Sequence, residues 1–244
     1  MTRQRLDELL VQRGLYTSRS RARDAIARGT VTVDGVVAAK PAQNTSLESR
    51  IEILDEARAY VSRSALKLKS GISFFDISVK GLNCLDIGAS TGGFTQVLLE
   101  QGAAHVTAID VGHGQLDAAL KDDPRVTSIE GLNARDLTAA HLKHKIDVIV
   151  CDVSFISLKL ALPAALALAE SGTRLLALIK PQFEAGRDSV GRGGIVSDPQ
   201  EHERVCREIS EFLTEANWNV LGLTPSSIEG GDGNKEFLIA AVKK

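Results

Sequence analysis

Aromatic residues are scarce. Seven Phe, two Tyr and one Trp among 244 residues leave too few rings for stacking on single strands to be a dominant theme. Cysteine is nearly missing as well. Cys84, Cys151 and Cys206 are an odd number at no metal-ligand spacing, so no metal site is expected, and Cys84 and Cys151 sit inside apolar runs that suit a buried structural thiol. A reducing compartment follows. No apolar run reaches the length of a membrane span, because the longest, Leu158 to Ala169, is broken by Lys159 and Pro163. The opening MTRQRLDELL has no apolar segment behind its basic residues, so a secretory signal is not expected and a cytoplasmic protein is. Excess charge is lacking too: 29 basic against 31 acidic residues, net −2, argues against a protein that coats nucleic acid by bulk charge. No internal repeat or low-complexity tract is visible.

What is present is average in bulk and uneven in place. A chain with 43% hydrophobic and 25% charged residues is globular rather than disordered or fibrous, and its length fits one or two domains. Residues 1–30 hold seven Arg and three acids, whereas 61–244 carry 19 basic and 23 acidic residues. A basic end on an acidic body suggests a docking module attached to something else.

Leu6, Leu9 and Leu10 are at helical spacing, with Gly14 as a stop. Thr17 or Ser18 can cap a second helix whose apolar face is Ala22, Ala25, Ile26 and Gly29. A strand at Val31–Val33, a hairpin turn at Asp34-Gly35, Val36-Val37 and a strand at Ile51–Ile53 complete a small α+β unit. After residue 80 the pattern alternates. Strands are expected at Asn83–Ile87, His105–Ile109, Val126–Ile129, Ile146–Cys151, Thr173–Ile179, Val220–Leu223 and Glu236–Val242, with helices such as Phe94–Gln101 and Glu201–Ala216 between them. That is an α/β fold with a doubly wound, mostly parallel sheet covered on both faces. The Gly-rich stretch between Gln182 and Pro199 lacks periodicity and reads as a mobile loop beside the site.

The segment Asp86 to Thr95, DIGASTGGFT, lies between the first strand and its helix. Glycines there let backbone approach a ligand, and the helix start offers unpaired N–H groups, so Gly88, Ser90, Thr91, Gly92 and Gly93 are candidate cofactor contacts. The spacing is neither GxGxxG nor a triphosphate-binding loop. Asp86, directly before the loop, suits a ligand with a cationic amino group or sulfonium centre. Asp110, ending the second strand, is placed for ribose hydroxyls, and Asp136, after the third, for an adenine amino group. The competing reading is a tight turn with surface acids. The pattern resembles the S-adenosylmethionine-dependent methyltransferases of the doubly wound class, with dehydrogenases as the nearest competitor.

Four further charges fall at strand ends or just upstream: Lys67, Asp152, Lys180 and Glu236. Such residues are seldom buried unless paired, and a structural salt-bridge cluster is the alternative to a catalytic one. A ribose hydroxyl must lose its proton as a methyl group arrives, which calls for a base. An ordinary lysine, of pKa about 10.4, is neutral in about one molecule in a thousand at pH 7.4. A second lysine and desolvation push that value down, and carboxylates push it up. Lys180 is the expected base, Lys67 its positive neighbour, Asp152 its holder, and Glu236 a partner for Lys67 or the ribose. The segment CDVSF lacks the Pro-Pro-aromatic turn of exocyclic amine methylation, and Cys151 lacks the neighbouring Pro usual for pyrimidine C5 chemistry.

These segments, SRSALKL, DIGASTGGFT, IDVGHGQL, CDVSFISL, IKPQFE and KEFL, resemble the TlyA (hemolysin A) family along essentially the whole chain. The resemblance implies an S4-type RNA-binding domain over residues 1–57, a linker over 58–61 and an FtsJ-like methyltransferase domain over 62–244. It further implies S-adenosylmethionine as cofactor, a Lys-Asp-Lys-Glu tetrad at Lys67, Asp152, Lys180 and Glu236, and 2′-O-methylation of cytidine in 16S rRNA, 23S rRNA or both, within ribosomal subunits. The family's Arg-x-Trp-Val linker stands here as Arg58-Ala59-Tyr60-Val61. Arg5, Arg19 and Lys40 are the expected contacts to rRNA phosphates. The alternatives are a catalytically idle RNA-binding assembly factor and a pore-forming protein.

Overall fold

The computed structural model describes residues 2–186, 189–230 and 233–244. The chain divides into two compact units, Met1–Ala59 and Tyr60–Lys244.

In the first unit, β1 (Arg3–Arg5) leads into α1 (Leu6–Gln12) and α2 (Arg19–Ala27), followed by β2 (Val31–Val33), β3 (Val36–Val37), β4 (Asn44–Ser46) and β5 (Ile51–Ile53). Leu6 and Leu10 of α1 pack with Ala22, Ala25 and Ile26 of α2 in one apolar cluster. The N-cap of α2 is Ser18, whose hydroxyl accepts from the Arg21 N–H at 3.3 Å. Gly29 is not on the buried face as expected; at φ +72° it carries the chain out of the helix, exposed. Asp34 and Gly35 both have positive φ and join Val33 to Val36 in a two-residue turn, as a tight hairpin demands. β2 is central in a β3-β2-β5 sheet. β1 pairs with β4, a ribbon that polar segments such as RQR and NTS give no sequence sign of.

The second unit begins with Tyr60 buried in its core and continues through α3 (Ser64–Phe74), β6 (Asn83–Ile87), α4 (Gly93–Glu100), β7 (His105–Asp110), α5 (Ala118–Lys121), β8 (Val126–Glu130), β9 (Val148–Cys151), α6 (Leu158–Ala161), α7 (Pro163–Leu168), β10 (Arg174–Ile179), α8 (Pro181–Glu184), α9 (Pro199–Glu215), β11 (Trp218–Pro225) and β12 (Phe237–Lys243). Seven strands lie in the order β11-β12-β10-β9-β6-β7-β8. Neighbours from β10 to β8 are parallel, and β12 is antiparallel to both β10 and β11. Strand residues alternate between two cores: Cys84, Val148, Val150, Leu176 and Leu178 face the layer of α3 and α4, and Leu85, Ile149, Cys151, Leu175 and Ala177 face that of α7 and α9. α3 lies close on the sheet because residue 71 is glycine; a Cβ there would stand 3.0 Å from Leu176.

The expected strands are all present, with shifted ends. β11 runs from Trp218 to Pro225 because its ladder to β12 continues past the apolar residues through backbone alone. β12 starts one residue after Glu236. The stretch expected to be irregular opens with the last two residues of α8 and holds a 3-10 turn at Arg192–Gly194; its residues 187 and 188 lie outside the described residues. Among the described residues no helix is long and apolar enough to cross a membrane.

Candidate active site

After β6 the chain turns at Gly88, which has φ +81° and stands so close to β9 that a Cβ would lie 2.6 Å from the Asp152 carbonyl oxygen. Only glycine fits there. Ser90, left-handed at φ +49°, donates its N–H to Asp110 Oδ2 at 2.8 Å and its hydroxyl to Gln115 Oε1 at 3.1 Å. The other Asp110 oxygen accepts from the Gly112 N–H at 2.7 Å. Gly88, Ser90 and Asp110 line a cavity of about 570 Å³ together with Gln115, Asn133 and Asp152. Its place, at the carboxyl ends of β6, β7 and β9, is where open α/β sheets hold ligands, and its size suits a small molecule.

Asp86, Thr91, Gly92, Gly93 and Asp136 are not among the lining residues. Asp86 is fully buried; its Oδ2 accepts from the Thr95 hydroxyl at 2.7 Å, while Oδ1 has no hydrogen-bond partner among the described residues. Burial pushes its carboxyl up to about 7, against the Thr95 hydrogen bond and helped by the charge of Asp152. Gly92 caps α4 at φ +99°, and a Cβ there would overlap the Leu120 side chain. A Cβ on Gly93 would come within 2.5 Å of the Ser64 hydroxyl, at the start of α3. Both positions are tightly packed, and Gly93 seats the helix that carries Lys67. Thr91 is exposed. Asp136 is exposed at the end of a 3-10 turn whose first residue, Ala134, reaches the cavity.

A second cavity, of about 360 Å³, is lined by Lys67, Lys180 and Glu236 with Ser154, Phe155 and Phe183. Lys67, Lys180 and Glu236 are all buried, and buried charges persist only when paired. Lys67 forms an ion pair with Glu236. Lys180 Nζ lies 2.5 Å from Asp152 Oδ1 and donates to Ser154 Oγ at 2.9 Å. Asp152 belongs to the first cavity, and Ser154 and Phe155 line both. The two cavities thus meet where the Lys180–Asp152 pair stands. Phe155 is 91% exposed at φ +65°, with its ring 5.1 Å from that of Phe183. Cys151 is fully buried, and burial pushes its thiol far up, which leaves no nucleophile there.

In the first unit, Arg5 and Arg19 are tied down. Arg5 Nη2 and Arg19 Nη2 lie 3.0 and 3.2 Å from Asp7 Oδ2, and both guanidiniums also pair with Glu8. Asp7 is fully buried, and the Arg5 hydrogen bond holds its carboxyl down at about 2 despite burial. Both arginines keep an exposed edge. Lys40 is exposed with no ion pair among the described residues.

Ser154, Phe155, Phe183 and Gln115 were not singled out from sequence. The one available sign was a Phe among serines directly after a strand-end acid, in CDVSFIS.

Residues 60–243 match the family model for FtsJ-like methyltransferases, and residues 4–51 match that for the S4 domain. The chain is 45% identical over 238 residues to the 16S/23S rRNA (cytidine-2′-O)-methyltransferase TlyA of Mycobacterium tuberculosis, covering 97% of this chain and 89% of that one. It is 41% identical over 235 residues to hemolysin A of Brachyspira hyodysenteriae, covering 96% and 98%. Among solved structures, a Streptococcus thermophilus protein provisionally described as a hemolysin superposes with a TM-score of 0.79 at 39% identity, covering 100% of this chain and 90% of that one. Both domain models and the near full-length relatives agree: the chain belongs to the TlyA (hemolysin A) family, in which an S4 domain precedes an FtsJ-like, S-adenosylmethionine-dependent methyltransferase domain.

Proposed function

We propose that this protein methylates the ribose 2′-hydroxyl of a cytidine in 16S rRNA, 23S rRNA or both, acting in the cytoplasm on ribosomal subunits, with Lys180 as the base. The observation that carries this reading is the Lys180–Asp152 pair at the junction of the two cavities. The relative from Mycobacterium tuberculosis, which bears the name of a cytidine-2′-O-methyltransferase, supports the choice of nucleotide and RNA.

The first cavity fits the cofactor. Gly88 leaves room for close approach, Asp110 retains lone pairs toward ribose hydroxyls, and buried Asp86, with an unpartnered oxygen beneath the loop, favours a cationic ligand. S-adenosylmethionine supplies, when bound, an activated methyl on a sulfonium centre. A ribose hydroxyl is a poor nucleophile until its proton leaves. Lys180, once its own ammonium proton has passed to solvent, takes the ribose proton at Nζ, and Asp152 Oδ1 and Ser154 Oγ hold the ammonium so re-formed. Lys67, fixed by Glu236, offers N–H donors to the ribose or its phosphate. The exposed Phe155 ring, backed by Phe183, offers a face on which a base drawn out of its helix can stack. The first unit docks on folded rRNA through phosphates, with Lys40 free and the Arg5 and Arg19 guanidiniums held in place by Asp7.

The test offers purified protein and labelled S-adenosylmethionine to unmodified small and large subunits separately, then identifies the product by nuclease digestion and mass spectrometry. A cytidine methylated at the 2′ oxygen is the expected product. Label on a base, or binding to both subunits without transfer, would reject the reading; the latter would favour the idle assembly factor.

A further inference from the structure

The segment from Asp152 to Ser157 carries three groups of the site: Asp152 and Ser154, which hold Lys180, and Phe155, which lines both cavities. The sheet supports only its first residue, since the β9 ladders to β6 and β10 end at Cys151 and the Asp152 N–H donates to the Ile87 carbonyl at 3.0 Å, and Phe155 adopts a left-handed backbone that a bulky residue rarely takes. A strained turn persists only where its surroundings over-determine it.

Glu184 supplies that determination. It is the last residue of α8, the helix whose N-cap is Lys180. Its carboxylate oxygens reach across 27 and 26 residues: Oε2 accepts from the Ser157 hydroxyl at 2.5 Å and Oε1 from the Leu158 N–H at 2.7 Å. Ser157 is the N-cap of α6 and also accepts from the Lys159 N–H at 3.1 Å. α8 and α6 are in turn both anchored to α9. Arg204 donates to the Ala185 carbonyl at 3.0 Å and to Glu208 Oε1 at 2.5 Å, and Lys159 donates to Glu208 Oε2 at 2.8 Å. One carboxylate thus joins the helix behind Lys180 to the turn that presents Asp152, Ser154 and Phe155.

We propose that Glu184 is a positioning residue for methyl transfer: it holds the Asp152–Ser157 turn in register with Lys180, so that the base, its two holders and the aromatic face are assembled before RNA arrives. It touches neither cavity and has no part in proton transfer. The proposal rests on the reading of Lys180 as base. Geometry of this kind matters because misplacement by about 1 Å can cost about a hundredfold in rate.

The test compares Glu184→Ala, Glu184→Gln and Ser157→Ala in the full-length protein. Hydrogen exchange gives a readout that needs no turnover. Amides 153–158 of Glu184→Ala should exchange at least about tenfold faster, with the strands of the sheet unchanged. In steady-state methyl transfer, Glu184→Ala should lose about tenfold to a hundredfold in kcat with cofactor affinity within about threefold of wild type. Glu184→Gln should recover most of this, since its amide oxygen can accept from Leu158 and its NH₂ can donate to Ser157. Ser157→Ala, which loses one of the two bonds, should fall between and keeps the test open if Glu184→Ala fails to fold. Unchanged exchange at 153–158, or full kcat in Glu184→Ala, would overturn the proposal. Lys180→Ala is run alongside: if it retains turnover, the base assignment fails, whereas loss there with full activity in Glu184→Ala defeats the positioning role alone.

Discussion

Ile179 lies opposite Phe237 in the antiparallel ladder between β10 and β12, and this pairing brings the next residue of one strand and the preceding residue of the other, Lys180 and Glu236, to the same end of the sheet. A parallel last strand would have sent Glu236 to the far end. The reversal of β12 lets a residue at a strand start join residues at strand ends, and α3 brings Lys67 to pair with it.

That pair is buried on both sides, so breaking it differs from replacing it. Losing one partner of a buried ion pair costs about 3–5 kcal/mol, whereas an apolar replacement of both is often neutral or better. Glu236→Ala should lower the urea unfolding free energy by about 3 kcal/mol. Lys67→Met combined with Glu236→Leu should regain most of that stability while methyl transfer stays lost. Near wild-type turnover in the double variant would remove the pair from the reaction.

Cofactor affinity should depend on pH through Asp86. Its carboxyl is raised from 3.8 to about 7 in the folded chain by burial, so its contribution to ligand-free stability is complete below pH 3.8 and is lost as pH rises through 7. A cationic ligand favours the ionised form, so binding in that window releases a proton. Affinity for S-adenosylmethionine should climb with pH toward 7, by at most about tenfold per unit, and level off above. Asp86→Asn should flatten the curve. Calorimetry in buffers of different ionisation enthalpy reads both effects, and a wild-type affinity that ignores pH below 7 would contradict them.

Binding to rRNA by the first unit should be salt-dependent in a residue-specific way. Lys40→Ala removes an exposed cation that has no ion pair among the described residues and should reduce the log–log salt slope by about one. Arg19→Ala should do the same while leaving Arg5 to hold Asp7. Filter binding across a salt series checks this; slopes equal to wild type in both variants would place the RNA contact elsewhere.

Much of this was legible in the chain. Continuous apolar runs such as Leu175 to Ile179 fit strands buried on both faces, because each successive side chain must meet one core or the other. Lys180 and Asp152 stood out because charges at the ends of apolar strands need a reason. Residues that act through backbone geometry were hidden. Gly92 and Gly93 read as candidate ligand contacts, and their missing side chains also make room for Leu120 and Ser64, a packing requirement that exists only once α4 meets α5 and α3. Arg5 and Arg19 read as rRNA contacts, and their shared partner Asp7 was hidden because nothing in the pattern of α1 marks that acid as buried. Phe155 was hidden by its own exposure, since an apolar residue is expected inside.

The most direct test of the account is single-turnover methyl transfer by Lys180→Ala, with RNA and cofactor binding measured on the same preparation. The predicted result is a loss of transfer by at least about a hundredfold, the scale of a removed general base, with both affinities near wild type. Transfer at the wild-type rate by a variant that still binds both would contradict Lys180 as the base and return the Lys180–Asp152 pair to a structural role.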